Sequence, residues 1–179
     1  MRESADFLMN RIADAISRID DYAVKGLVES IIGSNTVFVY GVGRSGLVGK
    51  SFSVRLVQMG LDVHFVGDMT TPIVRKGDLT LIISNTGSTM SAVQTANISR
   101  RMGSRVVSIT SDRRSKLGLA SNLVIEVVPE DDDERGRHAP LGTLFEVTTQ
   151  IFLDSIVPDI MVSLGESEHN MSKRHAIWV

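Results

Sequence analysis

The residues best suited to chemistry lie in three short segments that are far apart in sequence. Ser84-Asn85-Thr86-Gly87-Ser88-Thr89 places four hydroxyls within six residues, directly after an apolar run at 79–83. A buried strand ending in such a loop at a helix N-terminus offers an anion backbone N–H groups and the positive end of a helix dipole. Ser84, Thr86, Ser88 and Thr89 can each donate an O–H to a phosphate oxygen, and Gly87 lets the backbone come close. The expected ligand is a phosphomonoester held by the whole loop, Asn85 included. The competing use of the loop is a hydroxyl-rich turn in which Ser88 caps the following helix.

Gly41-Val42-Gly43-Arg44-Ser45-Gly46 follows an apolar run at 36–40 and matches the dinucleotide-binding pattern G-x-G-x-x-G. That reading needs an acid about 20 residues on, at the end of the second strand, to hold a ribose. Asp62 precedes that strand and Asp68 sits beyond a glycine. Arg44 and Ser45 favour substrate binding instead, because a guanidinium is suited to clamp an anion or a hydroxyl. A purely structural glycine turn is the other reading. The third segment, Pro140-Leu141-Gly142-Thr143-Leu144-Phe145-Glu146, opens a long apolar stretch in which Thr143 is a candidate cap. Glu146 then falls in the first turn, either as a general base or as an acid that merely complements the helix dipole.

These segments need a frame. Apolar runs at 36–40, 63–66, 79–83, 105–110 and 123–128 read as buried strands, alternating with helical patterns at 45–59, 90–102 and 115–120. Near-continuous apolar strands that alternate with helices make a parallel sheet covered on both faces. In such sheets ligands collect at the carboxyl ends of the strands, which is where the first two segments lie. Residues 4–32 read as one or two amphipathic helices, breaking near Lys25-Gly26 and packing on a partner subunit or on their own sheet. His138 and the acidic run 130–134 lie on the approach to Glu146, as a lid or as a solvated loop.

A length of 179 residues suits one domain spanning 1–179. The absence of cysteine removes disulfides, thiol catalysis and thiolate metal sites, and favours a cytoplasmic location. A net charge of -2 with acids and bases intermixed argues against nucleic-acid binding. His64, His138, His169 and His175 are scattered, so no metal site is expected. The N-terminus shows no secretory signal. The apolar stretch 141–164 is interrupted by Glu146, Gln150, Asp154, Pro158 and Asp159, and reads as a buried helix instead of a membrane span.

Together the three motifs resemble a sugar isomerase (SIS) domain, and more closely the 6-phospho-3-hexuloisomerases. Val66-Gly67-Asp68, Thr71-Pro72, Gly77-Asp78 and Arg174-His175-Ala176 extend the resemblance over nearly the whole chain. It implies a three-layer, flavodoxin-like α/β fold with a five-stranded parallel sheet, usually assembled as a homotetramer. It also implies a phosphorylated ketose as substrate, bound by Ser45 and the loop from Ser84 to Thr89, with Arg44 beside it, Glu146 accepting the proton and no cofactor. The activity implied interconverts D-arabino-3-hexulose 6-phosphate and fructose 6-phosphate through an enediol. His175 is a candidate proton carrier between the two oxygens, supplied by a neighbouring subunit if the tail reaches that far; a solvated histidine is the plainer reading. The family loop usually reads Ser-Gly-Ser-Gly-Glu-Thr, and Asn85, Thr86 and Ser88 replace its second, third and fifth residues. The tail at 176–179 also departs from the family's Ala-Asn-Leu-Glu. Rival readings are an isomerase of a pentose or heptose phosphate and a non-catalytic sugar-phosphate sensor, which would not need Glu146.

Overall fold

The computed structural model describes residues 1–130 and 132–175; the tail at 176–179 lies outside the described residues. Five strands, β1 (Val37–Gly41), β2 (Val63–Phe65), β3 (Leu79–Ile83), β4 (Arg105–Thr110) and β5 (Leu123–Glu126), form one sheet in the order β2-β1-β3-β4-β5. Every pairing is parallel. This is the strand order expected of a flavodoxin-like sheet, with the order reversing between β1 and β3.

Alternation along the strands decides what each face holds. Val37, Val39, Leu81, Ile83, Val107 and Ile109 enter the larger core with α2 (Asp21–Ile32), α3 (Gly43–Gln58), α7 (Thr143–Ser155) and α8 (Val157–Leu164). Ile82 and Val106 face the other way, onto α4 (Met90–Arg101) and α5 (Lys116–Ala120) through Ala92, Ala96 and Leu117. Side chains on a strand point alternately to the two faces, so a strand buried on both reads as a continuous apolar run. Helices α7 and α8 form a 22-residue stretch, Thr143–Leu164, with a hydropathy of 1.3, long and apolar enough by length and composition to cross a membrane. Its inward side supplies Phe145, Phe152, Leu153, Ile156 and Ile160 to the core.

Three expectations are corrected, the helix break and the two caps. The first two helices break at residues 18–20, between α1 (Arg2–Ser17) and α2, because the Asp20 side chain accepts from Tyr22 N and caps α2. Gly26 lies inside α2, where a Cβ would stand 3.1 Å from a Leu123 methyl, so the glycine permits close packing instead of ending the helix. Helix α1 packs on α7 and on the short α6 (Arg135–His138), which no sequence pattern announced. The residue before α4 is Thr89, with no side-chain capping bond, so Ser88 is not the cap; Thr143 is already inside α7, behind Gly142. A further short helix, α9 (Glu168–Lys173), closes the described chain.

Candidate active site

Strands β1 and β3 are neighbours, yet the helices that follow them leave on opposite faces, α3 into the larger core and α4 into the smaller. The crevice this opens at their carboxyl ends is a cavity of about 180 Å³, lined by Ser45, Ser84, Asn85, Thr86 and Thr89 over an apolar floor of Val42, Ile83 and Ala92. The lining includes Val42 and Thr89, the residues preceding α3 and α4, and neither helix start is capped by a side chain. Two sets of N–H groups without intrahelical partners therefore meet at one hydroxyl-lined cavity, an arrangement that favours an anion.

The shape of the cradle loop is fixed from β4. The Asn85 carbonyl accepts three hydrogen bonds, from Ser111 N at 2.9 Å, Thr110 Oγ1 at 2.9 Å and Ser111 Oγ at 2.8 Å. In a trans peptide the N–H points opposite to the carbonyl, so this anchoring turns the Thr86 N–H away from β4. Gly87 takes φ +59°, and a Cβ there would come within 2.0 Å of Ser115 Oγ. Only glycine fits this turn, because a left-handed backbone and a packed wall coincide. Ser84 N donates to Ile109 O at 3.0 Å and Gly87 N to Ser84 O at 3.2 Å. Ser88, by contrast, is exposed and pairs with Thr86 through their hydroxyls at 2.7 Å; it does not line the cavity.

Glu146 reaches the same neighbourhood from α7. The chain turns into that helix through Leu141 at φ +57°, a conformation that costs a leucine roughly 1–2 kcal/mol. Arg135 Nη1 donates to the Leu141 carbonyl at 2.8 Å, and Thr143 Oγ1 to the Pro140 carbonyl at 2.7 Å, which hold the turn. Phe145 is buried in the core, so its neighbour Glu146 is carried to the edge of the site with its side chain only 12% exposed. The Glu146 carboxylate accepts from Arg44 Nε, an ion pair that joins the first glycine loop to α7. Beside the pair lies a second recess of about 280 Å³ lined by Leu47, Val48, Val147 and Gln150. A carboxylate next to a hydroxyl-lined anion cavity can move a proton on a molecule whose charged end is anchored.

The SIS domain family model matches residues 30–153. The chain belongs to the SIS domain family. A 3-hexulose-6-phosphate isomerase of Bacillus subtilis is 32% identical over 173 residues, covering 94% of each chain. An uncharacterized protein of Methanothermobacter thermautotrophicus is 35% identical over 190 residues, 99% of this chain and 96% of its own. A crystal structure from Methanococcus jannaschii, for which a 3-hexulose-6-phosphate isomerase function was inferred, superposes with a TM-score of 0.89 at 30% identity and covers 99% of both chains. The resemblance read from the motifs is thus the one that the relatives carry.

Other residues of this SIS domain stand elsewhere than the sequence suggested. His138 is buried against α1, where Ser4 Oγ meets its Nδ1 at 3.0 Å and the Phe7 ring centroid lies 5.2 Å away. Arg11 of α1 forms ion pairs with Glu130 and Asp132, while Asp133 and Glu134 are exposed, in keeping with a solvated loop. His175 lines a different groove, of about 560 Å³, with Lys50, Val54 and Val57 of α3 and with Asp68 after β2, and Glu146 is not among its lining residues. Asp62, considered for a ribose, accepts from Thr36 Oγ1 at 2.8 Å, at the strand ends opposite the cavity. Thr110, Ser111, Ser115 and Arg135 shape the site without having been singled out. Only the position of the first three, at or just after the end of β4, was a signal available in sequence.

Proposed function

We propose that this chain is a sugar-phosphate isomerase that interconverts D-arabino-3-hexulose 6-phosphate and fructose 6-phosphate. The observation that carries the reading is the hydroxyl-lined cavity between two helix N-termini with a carboxylate beside it, in a chain whose relatives bear that name. The phosphate occupies the cradle, held by Ser45, Ser84, Thr86 and Thr89 and by the N–H groups of α3 and α4. Glu146 removes the proton from C3 of fructose 6-phosphate. The C–H electron pair becomes the C2–C3 double bond, and the carbonyl π pair moves onto O2. A proton passes from O3 to O2, Glu146 returns its proton to C2, and the carbonyl stands at C3. One carboxylate serves both carbons on one face. Arg44 exchanges its bond to Glu146 Oε2 for one to a substrate oxygen, which frees the carboxylate to act as base.

The test follows fructose 6-phosphate in deuterated water. Deuterium enters C3 and the 3-ketose appears; a protein that produces neither is not this isomerase.

The same reading includes a cytoplasmic homotetramer. Leu47, Val54 and Val57 lie on one stripe of α3 and are 66%, 56% and 45% exposed, beside the groove that holds His175. A second copy covering this stripe buries apolar surface, at about 25 cal/mol for each Å² removed from water. It also brings His175 toward a neighbour's site, where an imidazole suits the transfer between O3 and O2. Specific activity therefore falls on dilution through dissociation of the assembly. Activity that stays constant through dissociation would remove His175 from the reaction.

A further inference from the structure

Resting on the reading above, the geometry points to Asn85 as the donor that binds the sugar's O3, separating the recognition of a 3-keto sugar from the holding of its phosphate. Asn85 is half-buried and lines the cavity, yet among the described residues its side-chain amide makes no hydrogen bond. Its backbone, by contrast, is the most firmly held point of the loop, through the three bonds its carbonyl accepts from Thr110 and Ser111. An anchored backbone bearing a polar side chain with no internal partner is pre-organised for something outside the protein.

The side chain is aimed at the reacting end. A point at the Cβ position of Gly142 would lie 3.1 Å from Glu146 Oε1 and 3.6 Å from Asn85 Nδ2, so the amide and the carboxylate flank the same glycine. The negative carboxylate favours the NH₂ end of the amide on that side, which makes Asn85 a donor toward whatever Glu146 deprotonates. Arg44 occupies the other carboxylate oxygen. Two donors thus bracket the base. Asn85 stands on the Oε1 side of the carboxylate and Arg44 on the Oε2 side, so the two donors serve different substrate oxygens, O3 for Asn85 and O2 for Arg44. Deprotonation of the 3-ketose at C2 places the new negative charge on O3, and there a neutral amide donor stabilises the enediolate without neutralising Glu146.

Removing one donor of this kind lowers turnover by about 10²–10³-fold. Asn85→Ala should lose about 10²-fold in kcat/KM in both directions alike, because the overall equilibrium is unchanged. Inhibition by inorganic phosphate should stay as in the wild type, since the hydroxyls and helix ends remain. Asn85→Asp, of the same shape without the donor, should lose at least as much. Binding of a phosphorylated sugar hydroxamate, a planar mimic of the enediolate, should weaken in step with kcat/KM.

A loss below threefold, or a parallel loss of phosphate inhibition, overturns the inference in favour of a loop-shaping role. The hydroxamate separates this inference from the proposed substrate. A wild type that leaves fructose 6-phosphate unexchanged but binds the mimic through Asn85 removes the substrate and keeps the donor. Binding of the mimic that ignores Asn85 overturns the donor whatever the substrate is.

Discussion

Glu146→Gln should lower deuterium exchange at C3 of fructose 6-phosphate by about 10³-fold, within the 10²–10⁴-fold range of general-base catalysis. The substitution keeps the shape of the side chain, and its amide oxygen can still accept from Arg44 Nε, so the arrangement across the two loops is retained. What disappears is the ability to take a proton from carbon. Because Arg44 is 64% exposed, loss of the ion pair itself contributes little to stability. The variant should therefore unfold at nearly the wild-type denaturant midpoint and remain inhibited by inorganic phosphate. Ser84→Ala gives the converse pattern, weaker phosphate inhibition with the base intact. Exchange by Glu146→Gln at the wild-type rate would remove the carboxylate from the mechanism.

The second large effect concerns stability. Gly46 lies in the first turn of α3, pressed against the end of β1, where a Cβ would stand 2.5 Å from the Gly41 carbonyl oxygen and 3.0 Å from its carbon. Both contacts are backbone, so no side chain can swing away; the helix must lift from the strand. Gly46→Ala gains up to about 1 kcal/mol of helix propensity, but overpacking against unyielding neighbours costs roughly 1–3 kcal/mol. Lifting α3 also breaks the alignment of its N–H groups with the cavity. We expect a net loss of about 1–2 kcal/mol, seen as a melting temperature lower by roughly 2–8 °C, together with weakened phosphate inhibition. Unchanged stability would mean that the strand and helix are not in obligatory contact.

The Gly41–Gly46 contact also explains why the fingerprint G-x-G-x-x-G is present without a ribose-binding acid. Its outer glycines serve close packing of helix on strand, a need common to any ligand bound at this edge.

Strands β3 and β4 could be read from the sequence residue for residue, because both faces of each are buried over nearly their whole length and the runs are correspondingly apolar. The cradle loop and Glu146 were legible as types and spacing, since hydroxyls after a strand and an acid opening an apolar helix are local patterns. What local pattern could not carry was contact over distance. Gly26 resembles a helix break until Leu123 is seen against it. His138 resembles part of a mobile acidic segment until Ser4 and Phe7 are found packed on it. The role of Thr110 and Ser111 becomes visible only when the Asn85 carbonyl, 25 and 26 positions earlier, is found to accept their bonds. Asn85 itself reads in sequence as one more polar residue of a phosphate loop, because its direction depends on where α7 begins.

The strap between α1 and the segment leading into α7 has a consequence for the order in which the molecule matures. Ser4 and His138 are 134 positions apart, and Arg44 and Glu146 are 102 apart. A chain synthesised from its N-terminus therefore releases α1 long before the surface that receives it exists, while the sheet, built from nearer neighbours, can assemble in between. Helix α1 is made well before it can dock. Its docking coincides with the arrival of the catalytic helix, so the anion cradle is complete before the base that gives it a reaction to serve.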